Sequence, residues 1–269
     1  MKKDNALVII DAQRDFTDPK GALFVKGAVE DSQRLSQWII SQKSGIDYIC
    51  ITLDSHQPND IAHPSFWQDS QGNFPTPFTN ITSNDVKDGK WTPRFAPQVA
   101  LNYLEQLEAN GEYPHIIWPP HCLIGSWGYA LDETVFSAIN TWTVDGKFYT
   151  VVPKGTHPYT EHFGAFRAQV PIPGSPETQA NINLLKTLEE YKNVYIAGQA
   201  KSHCVANSLK QALDIAPSLA NRIIILEDCM SNVEGFEHIA DGIYADAKAK
   251  GVRFSTSTQE QLVKQTVNA

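Results

Sequence analysis

No stretch of this sequence is apolar for long enough to cross a bilayer. The longest apolar runs, such as ALVII at 6–10 and RIIIL at 222–226, fall far short of the roughly 20 residues a spanning helix needs. MKKDNA is followed by no apolar stretch of signal-peptide length, so the sequence predicts a cytoplasmic protein. Basic charge is also scarce: 22 Lys and Arg stand against 30 Asp and Glu, for a net charge of −8, and no window clusters the cations. That argues against generic duplex nucleic-acid binding, which needs a phosphate-neutralising surface, and leaves small-molecule chemistry as the expectation. Four cysteines, at 50, 122, 204 and 229, are too few and too scattered for a disulfide scaffold. Reduced thiols follow, and one of them can be reactive.

The chain does have 269 residues and 42% hydrophobic content, enough for a substantial core. Short β-rich runs alternate with helix-period segments, the pattern of an α/β fold: a doubly wound, mostly parallel sheet of about six strands with helices on both faces. Strands are expected near Ala6 to Ile10, Tyr48 to Leu53, Phe148 to Val152, Val194 to Ala197 and Ile223 to Leu226, with a short edge strand at Val252 to Phe254. Helices are expected from Asp31 to Gly45, from Pro97 to Asn110, and through Leu131, Val135, Ile139 and Trp142. Further helices are expected through Ile182, Leu185 and Leu188, through Val205, Leu209, Ala212, Leu213 and Ala216 with Cys204 in the first turn, and through Ile239, Ile243 and Ala247. Residues 66–96 and 167–180 are loop-like excursions. The expected organisation is one domain over 1–269 with insertions near 66–110 and 167–180.

Ligands of open parallel sheets sit beyond the carboxyl ends of the strands. The residues there are reactive: Asp11 in DAQRDF, Asp54 and His56 in LDSH, Lys154 in VVPKG, and Cys204 beyond GQAKSH. Taken singly, Asp11 reads as a loop cap, Lys154 as a solvated cation and a cysteine as a small apolar filler, the reading preferred for Cys50 and Cys229. Together they make a base, a cation and a thiol. A helix start lowers a thiol pKa, which favours Cys204 as nucleophile. His203 is read as structural, because adjacent helical side chains point about 100° apart. Asp54 and His56 leave an extended segment on the same face and can clasp one cation. His63 and His121, the latter in a rigid WPPHC turn, are further donors. Such a set suits zinc, iron or manganese. Cys122 carries less weight as a ligand.

DAQRDF at 11–16, DSH at 54–56, WPPHCLIGSWGYAL at 118–131, KG at 154–155, AGQAKSHCV at 197–205, and DCMS at 228–231 with His238 beyond it occur in that order. In this set and order the chain resembles the isochorismatase-like cysteine hydrolases, and within them the nicotinamidase branch, over roughly residues 5–260. The resemblance implies an amidohydrolase that converts nicotinamide to nicotinate and ammonia through a thioester. Asp11, Lys154 and Cys204 would be catalytic. The N–H groups of Ala200 and Cys204 would form the oxyanion hole, after a cis Gln199–Ala200 peptide. Asp54, His56 and His121, with His63 as an additional candidate, would bind one divalent ion, zinc ahead of iron or manganese. Phe16 and Trp118 would line the substrate pocket. The expected partner is a small-molecule amide, with homo-oligomer formation open. Two departures bear on substrate: Lys201 and Ser202 stand where the family commonly has Thr and Asp, and GTHPYTEHFGAF follows Lys154. The alternatives are another hydrolase of the scaffold, acting on a ureido, carbamoyl or maleamate amide or on isochorismate, and a non-catalytic member of the fold.

Overall fold

The computed structural model describes residues 3–262. Strands β1 (Lys3–Ile10), β2 (Tyr48–Asp54), β5 (Thr150–Lys154), β6 (Tyr191–Gly198), β7 (Ile223–Leu226) and β8 (Arg253–Ser255) form a parallel six-stranded sheet in the order β5-β2-β1-β6-β7-β8. A separate two-stranded ribbon, β3 (Trp67–Gln68) and β4 (Thr92–Pro93), lies in the first excursion.

The strands read as unbroken apolar runs because both faces are covered. Ala6, Val8 and Ile10 of β1 join one core cluster, and Leu7 and Ile9 join another, as the two-residue period requires. On the first face Leu185 and Leu188 of α6 (Ile182–Leu188), Leu209 and Leu213 of α7 (Ala206–Ile215), and Ala247 of α8 (Asp241–Ala249) pack against the sheet. On the second, Leu35, Trp38 and Ile39 of α2 (Ala28–Gln42) meet Val135, Ile139 and Trp142 of α5 (Glu133–Thr143). Each fully buried Leu or Ile contributes roughly 1.5–3 kcal/mol.

The expected elements are present with shifted ends. Helix α2 begins at Ala28 because Gly27, at φ 98°, turns the chain into it, and Asp31 is a buried first-turn residue rather than the start. Strand β5 starts two residues later than expected, leaving Phe148 outside it and 87% exposed. Cys204 lies in a π-helical turn, Lys201–Val205, in which Val205 N–H donates to Ala200 O; α7 proper starts at Ala206. The last helix starts at Asp241, not Ile239.

The first excursion is more ordered than its composition suggests. Its short helix α3 (Ser83–Lys87), capped by Thr82 and Asp85, and the expected helix α4 (Pro97–Ala109) that follows it close a separate apolar cluster with Ile61, Phe66, Trp67, Ile81, Tyr103, Leu104 and Leu107. A short helix α1 (Arg14–Thr17) follows β1 directly. Sequence order in the sheet reverses between β1 and β6, so the carboxyl ends of β1, β2, β5 and β6 open onto one crevice.

Candidate active site

The crevice joins the reactive strand ends. Asp11, the first residue beyond β1, adopts φ 43°; its N–H donates to Thr52 Oγ1 at 3.1 Å, and Thr52 Oγ1 donates back to Asp11 Oδ1 at 2.5 Å. The other oxygen, Oδ2, lies 2.9 Å from Lys154 Nζ at the end of β5. Lys154, 2% exposed, also donates to Asp54 Oδ1 at 2.8 Å, to His162 O at 3.0 Å and to Cys204 Sγ at 3.6 Å. One ammonium thus touches two carboxylates and the thiol.

Burial opposes charge on Lys154, but Asp11, Asp54 and Cys204 overcome it and hold the ammonium well above its usual pKa. Burial raises the pKa of Asp11 against the pull of Lys154. The Cys204 thiol is pushed well up, first by burial and then by Asp11 and Asp54, with Lys154 opposing. This corrects the expectation of a thiol acidified by its helix start: enclosure and two carboxylates raise its pKa instead. A neutral thiol beside a carboxylate of raised basicity results, suited to proton exchange between the two.

Asp54 turns its second oxygen the other way. Its Oδ2 is 3.2 Å from His56 Nε2 and 3.3 Å from His121 Nε2, and ligand atoms of the three buried residues all lie within 4.8 Å of one another. His56 Nδ1 donates to Asp60 Oδ2 at 2.9 Å, and His121 Nδ1 donates to Pro119 O at 2.9 Å. Those acceptors fix the tautomers and leave both Nε2 atoms turned toward Asp54. The oxygen and two nitrogens fit a divalent metal of the zinc type. His63 packs 5.0 Å from the His56 ring and 5.5 Å from that of His121 but lies outside the trio. Its Nδ1 donates to Gln57 O, and its buried Nε2 has no hydrogen-bond partner among the described residues. Cys122 is buried and also outside the trio; burial raises its thiol pKa.

A narrow cavity runs between the thiol and the trio. Phe16, Trp118, Asp54, His56, His121, Lys154, Ala200 and Cys204 line it, together with several residues that the sequence reading did not assign to the pocket: Leu23, Glu161, His162, Phe163, His203 and Val233. Phe16 meets the His121 ring edge-on at 5.5 Å, and Trp118 meets His203 at 5.2 Å. His203, read from sequence as structural, is therefore a wall residue as well. The peptide between Gln199 and Ala200 is cis. Lys201 does not line the cavity; its ammonium lies 5.6 Å from the centre of the Tyr244 ring. Ser202 hydrogen-bonds His203 Nδ1 and accepts the Val233 N–H. Burial raises the Glu161 carboxyl to about 8 and lowers His162 to about 3.

The helper residues are as specific as the reactive ones. Gln13, fully buried, accepts Asp54 N–H at 2.7 Å and donates to Asp54 O at 2.8 Å and Tyr129 O at 3.0 Å, clamping the backbone of the carboxylate. Gln13 stands inside the DAQRDF motif, and Asp60 stands four residues past His56. Those positions are the only signals the sequence carries for either.

No family model matches the chain. It is 23% identical over 248 residues to the nicotinamidase of Saccharomyces cerevisiae, covering 91% of this chain and 96% of that protein. It superimposes on a nicotinamidase/pyrazinamidase from Acinetobacter baumanii with a TM-score of 0.64 at 20% identity, covering 96% and 98% of the two chains. The chain has the nicotinamidase fold. The zinc complex of the Pyrococcus horikoshii pyrazinamidase shares it with a TM-score of 0.53 at 20% identity, over 94% of this chain and 99% of that one. Within this nicotinamidase fold, the thiol, the ammonium and the Asp-His-His trio occupy the sheet's switch-point crevice, where α/β folds of this kind hold their ligands.

Proposed function

We propose that this protein is a metal-containing cysteine amidohydrolase that converts nicotinamide to nicotinate and ammonia, serving salvage of the pyridine ring for NAD. The observation that carries the reading is the position of Lys154 Nζ, 2.9 Å from Asp11, 2.8 Å from Asp54 and 3.6 Å from Cys204. It couples a nucleophile and its base to a carboxylate of the metal-type trio.

A divalent ion held by Asp54, His56 and His121, zinc foremost, would supply an electrophilic anchor for the pyridine nitrogen. His63 is a further donor beside it. Phe16 and Trp118 would flank the ring and exclude water. Asp11 takes the proton of Cys204 as the sulfur attacks the carboxamide carbon, and Lys154 keeps the two aligned. The resulting oxyanion is received by the N–H groups of Ala200 and Cys204. Asp11 returns the proton to the departing nitrogen, ammonia leaves, and a thioester remains. A water molecule, deprotonated by Asp11, then cleaves the thioester to nicotinate and regenerates the thiol. One water is consumed for each ammonia and acid released. Because Lys201 lies outside the cavity, it gives no support to an anionic substrate.

Cys204→Ala tests the proposal. Ammonia release from nicotinamide is expected to be abolished while bound zinc, read by metal analysis, stays at the wild-type ratio. Wild-type protein with a reduced thiol and bound metal that releases no ammonia would refute the assignment.

A further inference from the structure

We infer that Asp15 is a positioning residue for the metal-type trio, setting the loop that carries His121 and the backbone that carries His56. The inference rests on the proposed metal site and extends it to a residue that touches neither substrate nor ion.

Asp15 is 7% exposed and pairs with no cation among the described residues; both of its oxygens are taken by main-chain donors. Oδ2 accepts Cys122 N–H at 2.6 Å, and Oδ1 accepts Ala22 N–H at 2.9 Å. Cys122 directly follows His121, and its carbonyl accepts the His56 N–H at 3.1 Å. One carboxylate therefore fixes the residue that links two of the three ligands. Cys122 also has φ 47°, a left-handed conformation that a residue with a Cβ adopts only when its surroundings hold it there. The Asp15 bond is such a hold, and it is charge-assisted. The main chain of Asp15 adds two links: its N–H donates to Gly128 O, and its carbonyl accepts Leu23 N–H. The adjacent Phe16 packs on the His121 ring. Hence one side chain ties together the turn after β1, the wall that carries Leu23 and the loop after His121.

Gly128 is the counterpart. A Cβ there would meet the Asp15 carboxylate at 2.1 Å, and the backbone at 128 is not in the left-handed region, so an alanine acts by contact alone and the carboxylate has to shift. Gly128→Ala thus pushes on Asp15 without removing its charge.

The test measures Zn²⁺ binding to full-length wild type, Asp15→Ala and Gly128→Ala, by competition with a chelator of known affinity and without any substrate. Thermal unfolding of each metal-free protein serves as the fold control. Both variants are expected to bind zinc about tenfold or more weakly, as when partners that orient metal ligands are lost. Asp15→Asn, which keeps the shape but sets an NH₂ against one of the two N–H donors, is expected to fall between alanine and wild type. Should Asp15→Ala not fold, Gly128→Ala decides alone. Zinc affinity within twofold of wild type in a folded variant, with only the melting temperature lowered, overturns the inference and leaves the proposed function standing. Wild type that binds zinc without hydrolysing nicotinamide sinks the function but not this role, because the binding comparison still decides it. Wild type that binds no zinc overturns both.

Discussion

The ammonium of Lys154 is the residue on which the local charge balance turns. It is 2% exposed and is shared by Asp11 and Asp54, themselves 0% and 4% exposed. Removing one partner of a buried ion pair costs more than the pair is worth, because the remaining charge keeps its desolvation penalty without compensation. Lys154→Met in chelator-treated protein should therefore lose about 3–5 kcal/mol of stability, measured by urea unfolding at pH 7. It should also lose ammonia release. A stability loss below about 1 kcal/mol would mean that the two carboxylates are solvated, or that burial lets them take up protons once the ammonium is gone.

The strands place the reactive groups, and one glycine lets them come together. Gly198 closes β6 at φ 117°, and a Cβ there would lie 2.0 Å from Ile10 O on β1. Gly198→Ala has to part the two central strands at the switch point. We expect a loss of about 3 kcal/mol or more in denaturant unfolding, since it combines a forbidden φ with a backbone collision. A shift under about 1 kcal/mol would show that the strand ends separate freely. Reactive residues directly after apolar runs, namely Asp11, Asp54 and Lys154, were legible in the sequence because a parallel sheet must deliver them to one edge. The order of the strands was not, because an apolar run marks a strand but not its neighbours. Gln13, Asp60, Glu161 and His162 were not legible: Gln13 finds its partners, and Glu161 and His162 their place in the cavity wall, only when segments distant in sequence pack together, while Asp60 pairs with the nearby His56 but stands in no motif. The thiol environment was misjudged for a related reason, since a helix start is local, whereas the enclosure of Cys204 and its neighbouring carboxylates is tertiary. The excursion at 66–96 was read as loop because its polar residues cap short elements whose apolar core includes Ile61 and Tyr103 from outside it.

At the scale of the whole molecule, burial of neutral imidazoles contributes to the response to acid. His115 donates from Nε2 to Ile61 O within the excursion's core, and burial lowers its pKa to about 4; His203, buried against Trp118 and Phe236, is likewise lowered to about 4. Unfolded, both rings titrate near 6.5. Between pH 6.5 and 4 the unfolded chain binds protons that the native chain refuses, so stability falls as pH falls through that window. Each ring contributes about 3 kcal/mol at full extent. His115→Gln should flatten the slope of unfolding free energy against pH between 6.5 and 4; an unchanged slope would show that His115 is protonated in the native state. The two oxygens of Asp54 have a different reach. Oδ1 holds the ammonium next to the sulfur, and Oδ2 faces the histidine pair. A single anion divided in this way makes the two halves of the crevice partners in one equilibrium. Whatever draws Asp54 toward the imidazoles loosens its grip on Lys154, and the reverse pull is equal in free energy. In the proposed function, ion loading at the trio and readiness of the Cys204 thiol would thereby be reciprocal quantities, set by one side chain and not by two independent sites.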